Sequence, residues 1–172
     1  CNICSKKSSE PEIRILSELK WFFDDINNRY KLDGVEIDIY IPKFNLGIEY
    51  DGHYFHKSRK DKDLEKNKFL LSQKINLIRV REHPLQLLSE NDLVVKTPLE
   101  KVNLDEILKK IYPFVDNNIK EKINIYLDKS SFINEEVYRK YRSYFPSPFP
   151  ENSLLVTHPL ISSERSEERR VG

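Results

Sequence analysis

Val35-Glu36-Ile37-Asp38-Ile39-Tyr40-Ile41 and Leu46-Gly47-Ile48-Glu49-Tyr50-Asp51 are separated only by Pro42-Lys43-Phe44-Asn45. Apolar and polar residues alternate along the first segment, and the proline and asparagine between the segments suit a tight turn. The stretch therefore predicts two antiparallel strands of a hairpin. If Ile41 pairs with Leu46, Asp38 falls opposite Glu49 and Glu36 opposite Asp51. Directly opposed side chains have Cβ atoms about 5 Å apart, and like charges there repel. Carboxylates placed face to face on a sheet imply a cation between them, so the register predicts a divalent-metal site and metal-dependent phosphodiester chemistry. Hard oxygen ligands suit Mg²⁺, or Mn²⁺ in its place, which polarises a phosphate and lowers the pKa of an attacking water. Asp38 and Glu49 are the candidate metal ligands, with the Tyr50 carbonyl as a candidate third.

Working outward, Ser9 followed by Glu12, Ile13, Ile15, Leu16, Leu19, Phe22, Phe23 and Ile26 predicts a capped amphipathic helix that ends at Asn27 and Asn28. Tyr30 to Leu32 predicts an edge strand before the hairpin. Beyond it, Asp63 to Lys74 predicts a second helix and Asn76 to Arg81 a third strand. Helix, antiparallel strands, helix, strand is the order of an α/β mixed sheet with helices packed on it. After Pro84, Leu85 to Leu88 predicts a helical turn, Asn103 a helix cap with the helix running to Tyr112, and Asn117 to Leu127 and Asn134 to Tyr144 two further helices. Pro146, Pro148 and Pro150 mark a linker, and Ser163 to Arg170 is a charged tail expected to be disordered.

With 33% charged and 11% aromatic residues in 172, the chain is globular by composition. A formal charge of +1 excludes a globally basic nucleic-acid coat protein and leaves local patches open. No apolar run approaches the roughly 20 residues of a membrane span and no leader pattern opens the chain, so no membrane partner and a cytoplasmic location are expected. Cys1 and Cys4 are half of a zinc knuckle with no second pair. The chain has no methionine, so it is expected to begin mid-gene, with Zn²⁺ bound only in a longer parent protein.

Gly52-His53-Tyr54-Phe55-His56 places two imidazoles beside the acidic pair, where one can act as general acid or base near neutral pH. The alternative for His56 is a ring packed beside Tyr54 and Phe55. Lys57, Arg59, Lys60 and Lys62 follow, either as contacts to DNA phosphates or as a solvated surface run diluted by Asp61, Asp63 and Glu65.

The strings EIDIYIP (36–42) and IEYDGHYFH (48–56), with the helix–strand pattern D-x-x-K-N-x-x-L-x-x-x-x-I-x-L-I-R-V-R-E (63–82), resemble the PD-(D/E)xK nuclease superfamily. The likeness is to the branch similar to very-short-patch repair endonucleases and related restriction- or homing-type enzymes, and it covers about half the chain. It implies a restriction-endonuclease-like fold, a mixed β-sheet flanked by helices, here with a C-terminal helical extension. The activity implied is hydrolysis of DNA phosphodiester bonds by an endonuclease.

By position, Asp38 and Glu49 match the metal-binding acids, and His56 matches the histidine that assists chemistry beside the metal. Glu12 matches an acidic residue that many members project from the first helix, although a first-turn glutamate is equally favoured by the helix dipole. Asp63 and Lys66 match a recurring acid and base on the helix after the histidine. One departure stands out: Asp51 occupies the place of the signature lysine, so either Lys66 or His56 supplies its charge or the site is weakened. The rival reading is a catalytically inactive DNA-binding module of the same fold, and a protein-interaction domain is a third.

The segment from Pro148 to Leu160 resembles the opening of a treble-clef zinc ribbon. The expected organisation is an upstream ribbon fragment over 1–8, a nuclease core over 9–100, a helical extension over 101–145, and a linker and tail over 146–172. Oligomeric state, recognition sequence and biological setting are left open.

Overall fold

The computed structural model describes residues 8–144; the cysteine pair, the proline-rich linker and the zinc-ribbon likeness lie outside them. In chain order the elements are α1 (Glu10–Leu19), β1 (Asn27–Leu32), β2 (Val35–Ile41), β3 (Leu46–Asp51), the single turn α2 (His53–His56), and α3 (Lys60–Ser72). They continue with β4 (Asn76–Glu82), β5 (Leu93–Val95), α4 (Lys101–Ile111), α5 (Asn117–Leu127) and α6 (Glu135–Ser143). The strands form one sheet in sequence order, antiparallel from β1 to β3 and parallel from β3 to β5. The chain is thus mixed α/β, a five-stranded mixed sheet flanked by helices. Among the described residues no helix is long and apolar enough to cross a membrane.

The hairpin forms as its sequence predicts. Pro42–Phe44 make a short 3₁₀ turn, and Asn45 closes it at φ 45°, a left-handed conformation that asparagine tolerates. The Tyr40 hydroxyl donates to Asn45 Oδ1 at 2.9 Å, pinning the turn to β2. Ile41 pairs with Leu46, Tyr40 with Gly47 and Ile39 with Ile48.

Two apolar clusters sandwich the sheet. The larger joins α1, alternate residues of β2 to β4 (Ile39, Ile41, Leu46, Ile48, Ile78, Val80) and the helices α4 to α6. The smaller gathers Ile37, Tyr40, Leu70 and Ile75 under α3. The larger cluster runs through the segment beyond residue 100: Leu104, Ile107, Leu108, Ile111, Ile123 and Tyr126 are fully buried. Glu18 of α1, also fully buried, accepts from the Tyr126 hydroxyl at 2.9 Å and from the backbone N–H of Ile133 and Asn134 at 3.2 and 3.1 Å. These bonds lock the last helices onto the first, which is what fixes that wall of the molecule.

Four local expectations are corrected. Helix α1 stops at Leu19 instead of running to Asn27; tight turns over Trp21 and Phe22 drop the adjacent Phe22 and Phe23 rings into the core together. Asn27 and Asn28 therefore begin β1, which is longer than the expected Tyr30–Leu32. Leu85–Leu88 makes no helical turn, because the Asp92 carboxylate accepts from Leu88 N, Ser89 N and Ser89 Oγ at 2.7–3.0 Å and shapes a loop that leads into the unpredicted three-residue β5. Helix α4 starts at Lys101, with Asn103 inside it, its side chain accepting from Glu100 N at 2.8 Å.

Candidate functional site

Beyond the Ile39–Ile48 pair the register brings Asp38 to Glu49, and there side chains replace the ladder. Asp38 N donates to Glu49 Oε1 at 3.2 Å, and Tyr50 N donates to Asp38 Oδ2 at 3.0 Å. Each carboxylate thus binds the backbone of the other's strand. Ile37 and Tyr40 belong to the smaller cluster while Ile39 and Ile41 belong to the larger, so the pleat's alternation slips at Asp38. Across on β1, the register from Asn28–Ile39 to Tyr30–Ile37 places Arg29 opposite Asp38, and Arg29 is held at φ 54°, strained for a residue of its size.

The second predicted pair is not formed. Glu36 lies opposite Lys31 on β1 and binds the Arg29 guanidinium, whereas Asp51 is fully buried beneath two arginines of β4. Arg79 Nη1 donates to Asp51 Oδ1 at 2.7 Å, and Arg81 Nη1 lies 2.8 Å from Asp51 Oδ2 as a charge contact without hydrogen-bond geometry. The register explains it: in the parallel β3–β4 pair, Glu49 aligns with Arg79 and Asp51 with Arg81. Both oxygens of Asp51 are thereby occupied by arginines, although it lies on the same strand face as Glu49 and shares Arg79 Nη1 with it.

A cation does reach that pair, from α3. Lys66 Nζ donates to Glu49 Oε2 at 2.6 Å, and Arg79 Nη1 lies 3.8 Å from the same oxygen. His56 Nδ1 sits 3.0 and 3.1 Å from the two oxygens of Asp63, one turn before Lys66 on α3, and 3.5 Å from Asp51. With Nδ1 engaged by a carboxylate, Nε2 is the nitrogen left for the cleft that His56 lines.

Glu12 is buried and closes a capping box with Ser9. Its oxygens accept from Ser8 Oγ (2.8 Å), Ser9 N (3.2 Å) and Asn28 Nδ2 (3.3 Å), and Asn28 Nδ2 also donates to the Asp38 carbonyl. Glu12 is thus both helix cap and neighbour of Asp38.

These groups open onto one cleft of about 1130 Å³, lined among others by Glu12, Arg29, Asp38, Glu49, His56 and Lys66. Of the four basic residues singled out in the sequence, Arg59 lines it; Lys57, Lys60 and Lys62 are exposed outside its lining. Tyr54 and Phe55 stand at its wall, 74% and 65% exposed, in edge contact with each other. The packed-ring alternative for His56 therefore gives way to its hydrogen-bond contact with Asp63.

Burial is the main cause that pushes Asp38 up to about 7, with the Glu12 charge adding to it. Burial likewise raises Glu49 to about 7, reinforced by Asp38 and opposed by Lys66 and Arg79. Glu12 is raised for the same first reason. Carboxylates whose folded pKa exceeds the unfolded value are stabilising when protonated, so without metal the contribution of Asp38 and Glu49 to stability grows as pH falls below about 7 and their full cost is borne above it. Asp38→Asn keeps an acceptor for Tyr50 N and removes the charge. Measured in EDTA at pH 8, this variant is expected to be more stable than the parent by on the order of 1–2 kcal/mol, the gap closing near pH 5. A melting temperature below that of the parent at pH 8 would contradict the electrostatic reading.

Asp51, His56 and Asp63 also bring three potential metal donors within 4.8 Å of one another. Their two carboxylates are matched by the buried Arg79 and Arg81, both of which a dication there would have to face. The sum of charges favours an ion-pair network. For Arg79, burial opposes its charge, yet Asp51, Glu49 and Asp63 together raise its pKa.

Sequence reasoning passed over Asn28, Asn67, Arg79 and Arg81. A signal for the arginines was present: Ile78-Arg79-Val80-Arg81 alternates within a strand too apolar to be exposed, so both guanidiniums require buried partners. Compared with known proteins, the chain matches no family model, no curated protein and no solved structure.

Proposed function

We propose that the chain is a divalent-metal-dependent DNA endonuclease of restriction-endonuclease-like fold. The observation that carries the reading is the Lys66 ammonium 2.6 Å from Glu49, beside an Asp38 whose carboxyl is raised by burial and by a second acid. Two hard carboxylates, crowded and desolvated, with a lysine arriving from a helix instead of from the strand, make a donor set that fits Mg²⁺ or Mn²⁺. Asp38 and Glu49 would hold the ion. When bound, it neutralises charge on the phosphate and makes an attacking water more acidic.

The chain's own residues supply the rest. Lys66 stands where negative charge develops during phosphoryl displacement and offsets it. His56, its Nδ1 oriented by Asp63, offers Nε2 to accept a proton from the attacking water or to return one to the leaving oxygen. Arg59 at the cleft and Lys57, Lys60 and Lys62 beyond it are suited to contacts along the DNA backbone. Asp51 has no part in the reacting groups; it balances the arginines. The inactive-module rival was motivated by the missing strand lysine, and Lys66 at Glu49 supports the enzyme over it.

The test is supercoiled plasmid incubated with purified protein, which is expected to be nicked or linearised with Mg²⁺ or Mn²⁺ and left intact in EDTA. DNA binding that is equal with and without metal, with no cleavage, would establish the inactive module instead. Absence of DNA affinity at low salt would point to a protein-interaction domain.

A further inference from the structure

The buried arginine pair lies behind the cleft, and its contacts run to both halves of it. Arg79 Nε donates to Asn67 Oδ1 at 2.7 Å, and Nη2 donates to the Asp63 carbonyl at 3.3 Å. Arg81 Nη2 approaches Asp63 Oδ2 at 3.5 Å. Asn67 follows Lys66 directly, and Asp63 precedes it by three residues on the same face of α3. The ends of these arginines are anchored on β3 by Asp51, which takes Nη1 of Arg79 in both of its oxygens at 2.7 and 3.0 Å. Helix α3 has few apolar anchors: Leu70 is its only fully buried apolar residue among those described, and Leu71 is 70% exposed. Apolar packing thus holds the helix near Leu70, while its first two turns are held by polar contacts to the arginines.

We infer that Arg79, locked by Asp51, is a positioning residue that sets the rotation and height of α3 over β3 and β4, so that Lys66 meets Glu49 and Asp63 meets His56. Its catalytic consequence rests on the nuclease reading; the positioning itself does not. The geometry gives a reason for the departure at Asp51: an acid at this strand position holds the guanidinium that delivers a lysine from the neighbouring helix.

The test uses the full chain with the variants Arg79→Lys and Asn67→Ala, Asn67→Asp as the restoring control and Lys66→Arg for assignment. Arg79→Lys keeps the buried charge but cannot span Asp51 and Asn67 at once; Asn67→Ala removes one anchor, leaves every charge in place and is the variant expected to fold in any case. The readout is the nitrogen-15 NMR signal of the Lys66 side-chain ammonium, assigned by its loss in Lys66→Arg. In the parent protein the 2.6 Å ion pair to Glu49 is expected to slow its hydrogen exchange enough for it to be seen. In Arg79→Lys and in Asn67→Ala the signal is expected to be lost or broadened while far-UV circular dichroism is unchanged, and Asn67→Asp, which restores an acceptor for Arg79 Nε, is expected to bring it back. In cleavage assays Asn67→Ala is expected to lower kcat by about tenfold with KM unchanged, since misplacement of about 1 Å costs up to a hundredfold. A Lys66 signal that is unaltered in folded Asn67→Ala would overturn the positioning role. A parent protein that shows the signal but cuts no DNA would instead remove the nuclease reading and leave the positioning standing.

Discussion

Asp38→Ala is expected to reduce metal-dependent DNA cleavage by about a thousandfold or more while leaving the protein folded. The side chain ties the two strands of the opening together: it sits on β2, in the register that Ile39–Ile48 begins, and accepts from Tyr50 N on β3. Removing it deletes one oxygen ligand and one backbone hydrogen bond, the latter worth about 1 kcal/mol. It also relieves repulsion with Glu12 and Glu49, so the net change in stability is small and of either sign. Cleavage rate and melting temperature, measured on the same preparation in Mg²⁺ and in EDTA, separate the two effects. Cleavage at the parent rate in a folded Asp38→Ala protein would sink the mechanism.

Lys66→Met is expected to lower the cleavage rate by about a hundred- to a thousandfold, the range seen when one preorganised charge or donor is removed from a transition state. DNA affinity should hold within a few-fold, because Lys66 is spent on Glu49 and the exposed cations lie elsewhere. The pH profile adds a second mark. Lys66 opposes the burial that raises Glu49, so its loss lets Glu49 hold its proton to higher pH, and the acidic limb of the rate profile should move to higher pH. Methionine keeps the apolar stem of the side chain, and Asp63 and Asn67 keep their bonds to Arg79, so helix α3 should stay in place. An unchanged rate would show that the lysine on α3 does not take over the charge missing from the strand.

Much of this architecture is legible in the chain. The Pro42–Asn45 turn sets how many residues separate the strands, so pairing Ile41 with Leu46 brings Asp38 to Glu49 by spacing, while the alternation slips at Asp38 and the predicted Glu36–Asp51 pair is lost. Ser9 and Glu12 announce the start of α1, and the bounds Asn117–Leu127 are those of α5 because Asp116 caps it and Ile119, Ile123 and Tyr126 recur on one face. Helix α1 ended early because its aromatic run was better buried by a turn than by a further helical turn, a preference set by the core that receives it. Strand β5 is three residues long and has too few alternations to be seen.

What the sequence by itself determined is the set of short-range facts: the hairpin, its register, the alternation of helices with strands that makes a mixed sheet, and the local pairing of Glu12 with Ser9. These rest on interactions between residues close in the chain, whose geometry is constrained by the backbone. Only the tertiary structure decided which charges meet. Asp51 pairs with arginines 28 and 30 residues away, Lys66 reaches Glu49 from a helix across the sheet, and His56 turns to Asp63. The physical reason is burial: once Glu49, Asp51, Asp63, Arg79 and Arg81 are all removed from water, each charge must find a partner at a few ångströms. The parallel register of β3 with β4, closed through the intervening α3, is what supplies those partners.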